Sequence, residues 1–146
     1  TEIYTLSLHD ALPILVDLAD TTLLAYIGDA VYELYIRLHV IESDIHSVNK
    51  MNRKAIEHVC ADSQARIAKN LMKGFLSDEE VKLLKRARNN TKTPKPRGSS
   101  QTDYKLATGF EALIGYLYLN EDFGRLKEVI DRAVEIVEEE SGDGSH

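Results

Sequence analysis

The sequence predicts an all-α protein with one domain. From residue 17 onward, apolar residues recur at spacings of three and four, and the alternating pattern typical of strands is rare. A length of 146 residues and a hydrophobic fraction of 43% are enough for one buried core. No segment approaches the roughly 20 apolar residues that cross a bilayer, and the single cysteine excludes an internal disulfide. We therefore expect a cytoplasmic helical domain with no membrane span.

The domain is predicted to cover residues 15–140. Residues 1–14, TEIYTLSLHDALPI, have a mixed pattern that ends in a proline, and we expect a non-native or disordered segment there. A genuine N-terminal strand or arm is the alternative. The last residues, 141–146, read SGDGSH, a composition that favours a disordered tail.

The first half of the domain carries signals for three helices. One apolar period runs over about 20–39, with residues 20–22 (Asp, Thr, Thr) as possible N-caps. A second period, over about 47–70, is predicted to be two helices that are broken near residues 61–62. Gly74 favours the end of this pair.

The second half carries signals for three more helices, divided by a loop. The sequence SDEE at 77–80 is a capping box, and it opens a helix that ends near 89–90. Residues 91–101, TKTPKPRGSSQ, contain two prolines and a glycine, which predict an irregular, mobile loop. The last two helices are predicted over about 102–120, with Thr102 or Asp103 as the cap, and from Asp122 or Phe123 to about Glu140.

The two most apolar helices each contain an acid within an apolar stretch. Asp29 lies in LLAYIGDAVYELYIR, and Glu111 lies in GFEALIGYLYL. A buried lone carboxylate is costly, so each acid must be protonated, paired with a cation, or at the wet edge of the core. Both helices also contain small residues, which allow two helix backbones to approach closely: Ala25, Gly28, Ala112 and Gly115. If the helices cross at these residues, Asp29 and Glu111 converge.

Two converging carboxylates with no soft ligand nearby favour a hard cation, and Mg²⁺ is the natural choice. Because Mg²⁺ fills its remaining positions with water and phosphate oxygens, a phosphodiester substrate is indicated. Glu33, four residues after Asp29, is a candidate to orient a water at such an ion, and a surface salt bridge is the other interpretation. Asp29 and Glu111 themselves could instead face solvent or pair with Lys or Arg.

A basic stretch lies between residues 85 and 105, and it contrasts with an acidic remainder. The stretch carries a net charge of +6 and the whole chain −6, so the rest of the chain carries −12. Such a stretch can bind a polyanion despite the acidic total, although a solvated helix end followed by a linker has the same composition. Its seven basic residues, the candidates for binding a polyanion, are Lys85, Arg86, Arg88, Lys92, Lys95, Arg97 and Lys105.

The five histidines are scattered without metal-ligand spacing. Surface positions or satisfied positions in the core are therefore expected for most of them. With only one cysteine, the sequence offers no His or Cys cluster that predicts a zinc site.

Two motifs and the segments between them carry a family resemblance. AYIGDAVYELYIR resembles the signature helix of ribonuclease III catalytic domains, FEALIGYLYL resembles their later acidic helix, and SQARI and KRARN lie between them in order. The amino-acid sequence of these segments is most similar to that of the Mini-III family, which lacks the appended double-stranded-RNA-binding domain. Full-length ribonuclease III enzymes have two further carboxylates where this chain has Thr22 and Thr108, and the Mini-III pattern also lacks both.

The resemblance implies a homodimeric, ribonuclease III-type helical domain. It implies that Asp29 and Glu111 are the metal-linked catalytic acids of a Mg²⁺-dependent endoribonuclease that cuts double-stranded RNA and leaves 5′-phosphate and 3′-hydroxyl ends. Precursors of 23S ribosomal RNA are the implied substrate. Two alternatives stay open: an inactive RNA-binding domain with the same fold, and an all-helical module that binds an acidic protein.

Overall fold

A computed structural model describes residues 18–92 and 100–144, with side chains to residue 142, and it confirms the all-α fold. The predicted foreign segment, 1–14, lies outside the described residues. No described helix has the combination of length and apolar character that a bilayer crossing requires. The helices are α1 (Thr21–Ile41), α2 (Val48–Val59), α3 (Ala61–Leu71), α4 (Asp78–Asn90), α5 (Gln101–Leu119) and α6 (Phe123–Gly144).

The predicted caps of the first half agree closely with the structure. Asp20 caps α1, because its Oδ1 accepts hydrogen bonds from the backbone N–H groups of Thr22 at 3.0 Å and Leu23 at 3.3 Å. Cys60, one residue before the predicted break, separates α2 from α3 through an extended backbone with φ −67° and ψ 153°. Gly74 follows α3 at φ +108°, a conformation that favours glycine.

The predicted capping box opens α4 and also anchors α6. The backbone N–H of Ser77 donates to Glu80 Oε1 at 2.8 Å, and the N–H of Glu80 donates to Ser77 Oγ at 3.2 Å. Arg125 of α6 then donates to both carboxylate oxygens of Glu80, at 2.8 and 2.9 Å. This guanidinium holds the pKa of Glu80 below its usual range. One local motif thus fixes both a helix start and a tertiary contact.

Two boundaries differ from the prediction. Ser100, and not Thr102 or Asp103, caps α5, because its Oγ accepts from the N–H of Asp103 at 3.0 Å while its own backbone is extended. Gln101, the last residue of the predicted loop, therefore already belongs to the helix, and residues 93–99 of that prediction lie outside the described residues. The last helix continues to Gly144, past the predicted end near Glu140, so it includes four residues that had been assigned to the tail.

Helix α5 is the centre of the core, and α1, α3 and α4 pack around it. Phe110 on α5 is fully buried and meets the ring of Tyr32 on α1 edge to face, with ring centroids 5.0 Å apart. Helix α6 closes one side of the core with an apolar face that includes Leu126, Val129 and Ala133. Because the middle of α5 is surrounded, a polar side chain there lies beside another helix rather than in open solvent.

Candidate active site

Helices α1 and α5 cross in direct backbone contact at two glycines. A Cβ atom on Gly28 would lie 1.6 Å from the carbonyl oxygen of Glu111, and one on Gly115 would lie 2.0 Å from the carbonyl oxygen of Leu24. Ala25 and Ala112 are buried beside this crossing. The close approach expected from the small residues of both helices is therefore present.

The crossing brings the side chains of Asp29 and Glu111 together. Asp29 is exposed and Glu111 is half-buried. Burial raises the pKa of Glu111 to about 9, and a hydrogen bond to Asp29 and the negative charge of Asp29 act in the same direction. In the metal-free protein at neutral pH, Glu111 is therefore the protonated partner of the pair.

Gln64 on α3 is a third member of this cluster, and the sequence analysis did not identify it. Its side chain is buried, and its Nε2 donates to the carbonyl oxygen of Val59 at 3.0 Å. A hydrogen bond from Gln64 to Glu111 partly opposes the rise in the pKa of Glu111, because it favours the charged carboxylate. The Oε1 of Gln64 has no hydrogen-bond partner among the residues that the structure covers. Gln64 thus connects α3 to the acid pair.

A cleft of about 230 Å³ opens beside Glu111. Thr22 and Thr108, the two positions at which the resemblance led us to look for further carboxylates, both line this cleft. The hydroxyl of Thr108 donates to the carbonyl oxygen of Tyr104 at 3.0 Å, one helical turn earlier. Lys92 lines the same cleft and brings a cation to it. The cleft at Glu111 is therefore lined by α1, the end of α4 and the first half of α5.

Glu33 forms the surface salt bridge that was one of its two interpretations. Its Oε1 accepts from Arg37 Nη2 at 2.9 Å, with the Arg37 side chain 63% exposed. This pair accounts for the position of Glu33 by itself. A role for Glu33 in orienting a water stays a prediction.

The basic candidates differ in their positions. Lys85 and Arg86 are exposed on α4, as is Lys92 just after its end, whereas Arg88 and Lys105 are half-buried. The Arg88 Nε donates to the side-chain oxygen of its neighbour Asn89 at 3.1 Å. The other two candidates, Lys95 and Arg97, lie outside the described ranges.

The pKa of Glu111 leads to a prediction for stability. Between about pH 4.5, where an unfolded glutamate titrates, and about pH 9, the folded metal-free protein holds a proton that the unfolded chain has lost. Stability from this group is therefore complete below pH 4.5 and falls as the pH rises toward 9. We expect Glu111→Gln to raise the melting temperature in EDTA at pH 8 by about 3 °C or more, with a much smaller effect at pH 5.

Asp131→Asn is the matched control for that measurement. Asp131 is an exposed carboxylate on α6 that pairs with Lys127 at 2.6 Å. Removal of this charge breaks a favourable pair, so it should not raise the melting temperature. Equal thermal shifts for Glu111→Gln at pH 5 and pH 8 would contradict the protonated state of Glu111.

A second cluster of ionisable side chains was not expected from the sequence. His39, His58 and Glu138 each place one possible ligand atom within 4.8 Å of the other two. His58 is fully buried, and neither of its ring nitrogens has a hydrogen-bond partner among the described residues. His58 is an exception to the expectation that most histidines take surface or satisfied positions. The sequence could not indicate this cluster, because its residues are distant in sequence, on α1, α2 and α6.

Comparisons with known proteins place this geometry in a family. The family model for the ribonuclease III domain matches residues 22–122, which include both acids of the pair. Mini-ribonuclease 3 from Clostridium tetani is 43% identical over 119 residues, which cover 81% of this chain and 78% of the relative. Mini-ribonuclease 3 from Thermoanaerobacter is 41% identical over 116 residues, with 80% and 81% covered.

A solved structure agrees with these sequence relatives. The crystal structure of a Fusobacterium nucleatum protein superposes with a TM-score of 0.69 at 31% sequence identity, and the match covers 77% of this chain and 88% of that one. The fold, the family model and the named relatives agree over most of the chain. The chain therefore belongs to the ribonuclease III family, within its Mini-ribonuclease 3 group, and is a ribonuclease.

Proposed function

We propose that this chain is a Mg²⁺-dependent endoribonuclease that hydrolyses phosphodiester bonds in double-stranded RNA and leaves 5′-phosphate and 3′-hydroxyl ends. The observation that carries the proposal is the meeting of Asp29 and Glu111 beside an open cleft. We assign the activity to one domain, residues 15–140.

The acid pair fits a magnesium ion. Asp29 and Glu111 offer hard oxygen ligands, and the groups beside them are a glutamine amide, threonine hydroxyls and a lysine rather than thiols or imidazoles. Glu111, whose pKa is raised to about 9, is hydrogen-bonded to Asp29, and a cation bound by both carboxylates would displace its proton. When bound, such an ion supplies Lewis-acid activation of the scissile phosphate and of the attacking water.

The chain's own residues have separate parts in this mechanism. Glu111, held between α1 and α3, provides a fixed ligand, because its backbone contacts Gly28 and its side chain contacts Gln64. Asp29 is exposed and would provide the ligand on the solvent side of the ion. Lys92, which lines the cleft, is positioned to bind a phosphate of the strand that enters it.

Double-stranded RNA is the substrate class that the charge distribution supports. Lys85, Arg86 and Lys92 are exposed, and the stretch in which they lie carries +6 in an otherwise acidic chain. A-form RNA presents 2′-hydroxyls and phosphates across a wide minor groove and is bound mostly through its shape. If about five phosphates are contacted, affinity falls steeply with salt and sequence preference is modest.

A homodimer is part of the proposal, since a duplex has two strands and each domain has one acid pair. Leu34, Leu38 and Ile41 are 57%, 51% and 62% exposed, and their spacing places them on one face of α1. A second copy of the chain, related by a two-fold axis, would bury this face. A precursor of 23S ribosomal RNA is the proposed natural substrate, and the cytoplasm the proposed location, as the family resemblance and the single cysteine imply.

Incubation of the purified chain with Mg²⁺ and a 23S precursor transcript, and separately with a long RNA duplex, tests the proposal. We expect cleavage in both strands of the double-stranded regions, no cleavage in EDTA, and products that a 5′-phosphate-dependent exonuclease degrades. Binding without cutting would favour the inactive RNA-binding domain. No affinity for the duplex even at low salt would favour the module that binds an acidic protein.

A further inference from the structure

We propose that His39, His58 and Glu138 form a binding site for a divalent transition-metal ion, with Zn²⁺ as the ion that this ligand set fits best. The site joins the last turns of α1 and α2 to the last third of α6. It is separate from the acid pair and does not depend on the proposed function.

The ligand atoms already lie close to the spacing that such an ion requires. The Nε2 of His39 is 2.6 Å from Glu138 Oε1, and the Nε2 of His58 is 3.9 Å from the same oxygen. Bonds of about 2.1 Å in a tetrahedron place ligand atoms about 3.4 Å apart. These two separations lie on both sides of this value, and all three ligand atoms lie within 4.8 Å of one another, so the side chains need to adjust, but no helix has to be brought closer.

His58 gives the strongest support for a ligand at this position. Its side chain is fully buried, yet both of its ring nitrogens lack hydrogen-bond partners within the described part of the chain. Buried polar groups without partners are rare in native proteins, because desolvation is not compensated. The salt bridge between His39 and Glu138 does not supply a partner for His58. A metal ion bound by Nε2 does.

The surroundings favour a cation and allow it to enter. Both histidines lie at helix C-terminal ends, where the helix dipole carries partial negative charge. The side chains of His39 and Glu138 are 36% and 41% exposed, so one side of the site is open to solvent. Three protein ligands with one open position are a common arrangement for zinc.

The chemistry and location of the two centres differ. His39 follows Asp29 by ten residues on α1, which is about 15 Å along a helix axis. Imidazole nitrogens favour zinc over magnesium, whereas the acid pair offers oxygens alone. Zinc at the histidine site would link three helices at the C-terminal end of α1, whereas Asp29 lies in the first half of that helix.

Zinc binding by the full chain tests this proposal, and the Glu111→Gln background removes the acid pair as a competing site. We expect one high-affinity Zn²⁺ per chain in competition with a chromophoric chelator. At a hundredfold excess over the dissociation constant, Zn²⁺ should raise the melting temperature by about 5 °C or more. Mg²⁺ at the same concentration should give no such rise.

The variants His39→Gln and Glu138→Gln, made in the same background, locate the ion. Each removes one partly exposed ligand and should weaken zinc binding at least about tenfold. His46→Gln is the matched control, since His46 also lies beside a carboxylate, Asp44 at 3.1 Å, but on the exposed surface. Undiminished zinc affinity in both ligand variants, or no thermal shift in the parent protein, would overturn the proposal.

Discussion

Asp29→Asn and Glu111→Gln are each expected to reduce Mg²⁺-dependent cleavage of double-stranded RNA at least about a hundredfold. Loss of a metal ligand removes several kcal/mol of transition-state stabilisation, and each 1.36 kcal/mol is tenfold in rate. Both substitutions nearly keep the side-chain volume and remove the ability of the group to act as an anionic metal ligand. Single-turnover cleavage of an end-labelled duplex, with enzyme in excess, measures the chemical step without product release.

Two comparisons separate this loss from a folding defect. The Glu111→Gln protein should be more stable than the parent in EDTA at pH 8, since it removes a carboxyl that burial and Asp29 hold protonated. Both variants should also bind the duplex with affinity close to that of the parent, because the basic residues are unchanged. Asp131→Asn, on the exposed side of α6, should cut at the normal rate. Variants of Asp29 or Glu111 that cut at the normal rate would show that this pair is not the catalytic centre.

The sequence predicted those features of the fold that local signals determine. The cap at Asp20 and the box formed by Ser77 and Glu80 depend on residues two or three positions apart, so their partners could be identified from spacing alone. The cap of α5 was harder to predict, because several capable residues are adjacent. Ser100 is the one whose extended backbone turns its hydroxyl to the helix start.

The acid pair could be predicted because the sequence places a carboxylate within each of two apolar helices, where burial of a charge is costly. An acid inside an apolar helix is rare, and two such helices with small residues beside the acids indicate a crossing. Gln64 gave no comparable signal, since a glutamine in an amphipathic helix is ordinary. The cluster of His39, His58 and Glu138 could not be predicted for another reason: Glu138 is 99 residues from His39, and only the packed fold brings them together.

The second large effect is expected at the helix crossing itself. Gly28→Ala and Gly115→Ala should each destabilise the protein by about 4 kcal/mol or more, above the usual cost of overpacking. The added methyl group would lie 1.6 Å from the carbonyl oxygen of Glu111 or 2.0 Å from that of Leu24. Because these contacts are to backbone atoms, no side-chain rotation relieves them, and α1 and α5 must move apart. Urea unfolding at 10 °C measures the change.

Gly124→Ala is the control, since a Cβ there would meet no atom within 4 Å. It lies in the first turn of α6, where alanine should be neutral or stabilising by up to about 1 kcal/mol. Gly28 contacts the backbone of Glu111 and precedes Asp29, so the packing contact and the acid pair depend on the same crossing. A crossing variant that still folds at low temperature should therefore also require more Mg²⁺ for half-maximal cleavage. Stability of Gly28→Ala equal to that of Gly124→Ala would contradict the close crossing on which the site depends.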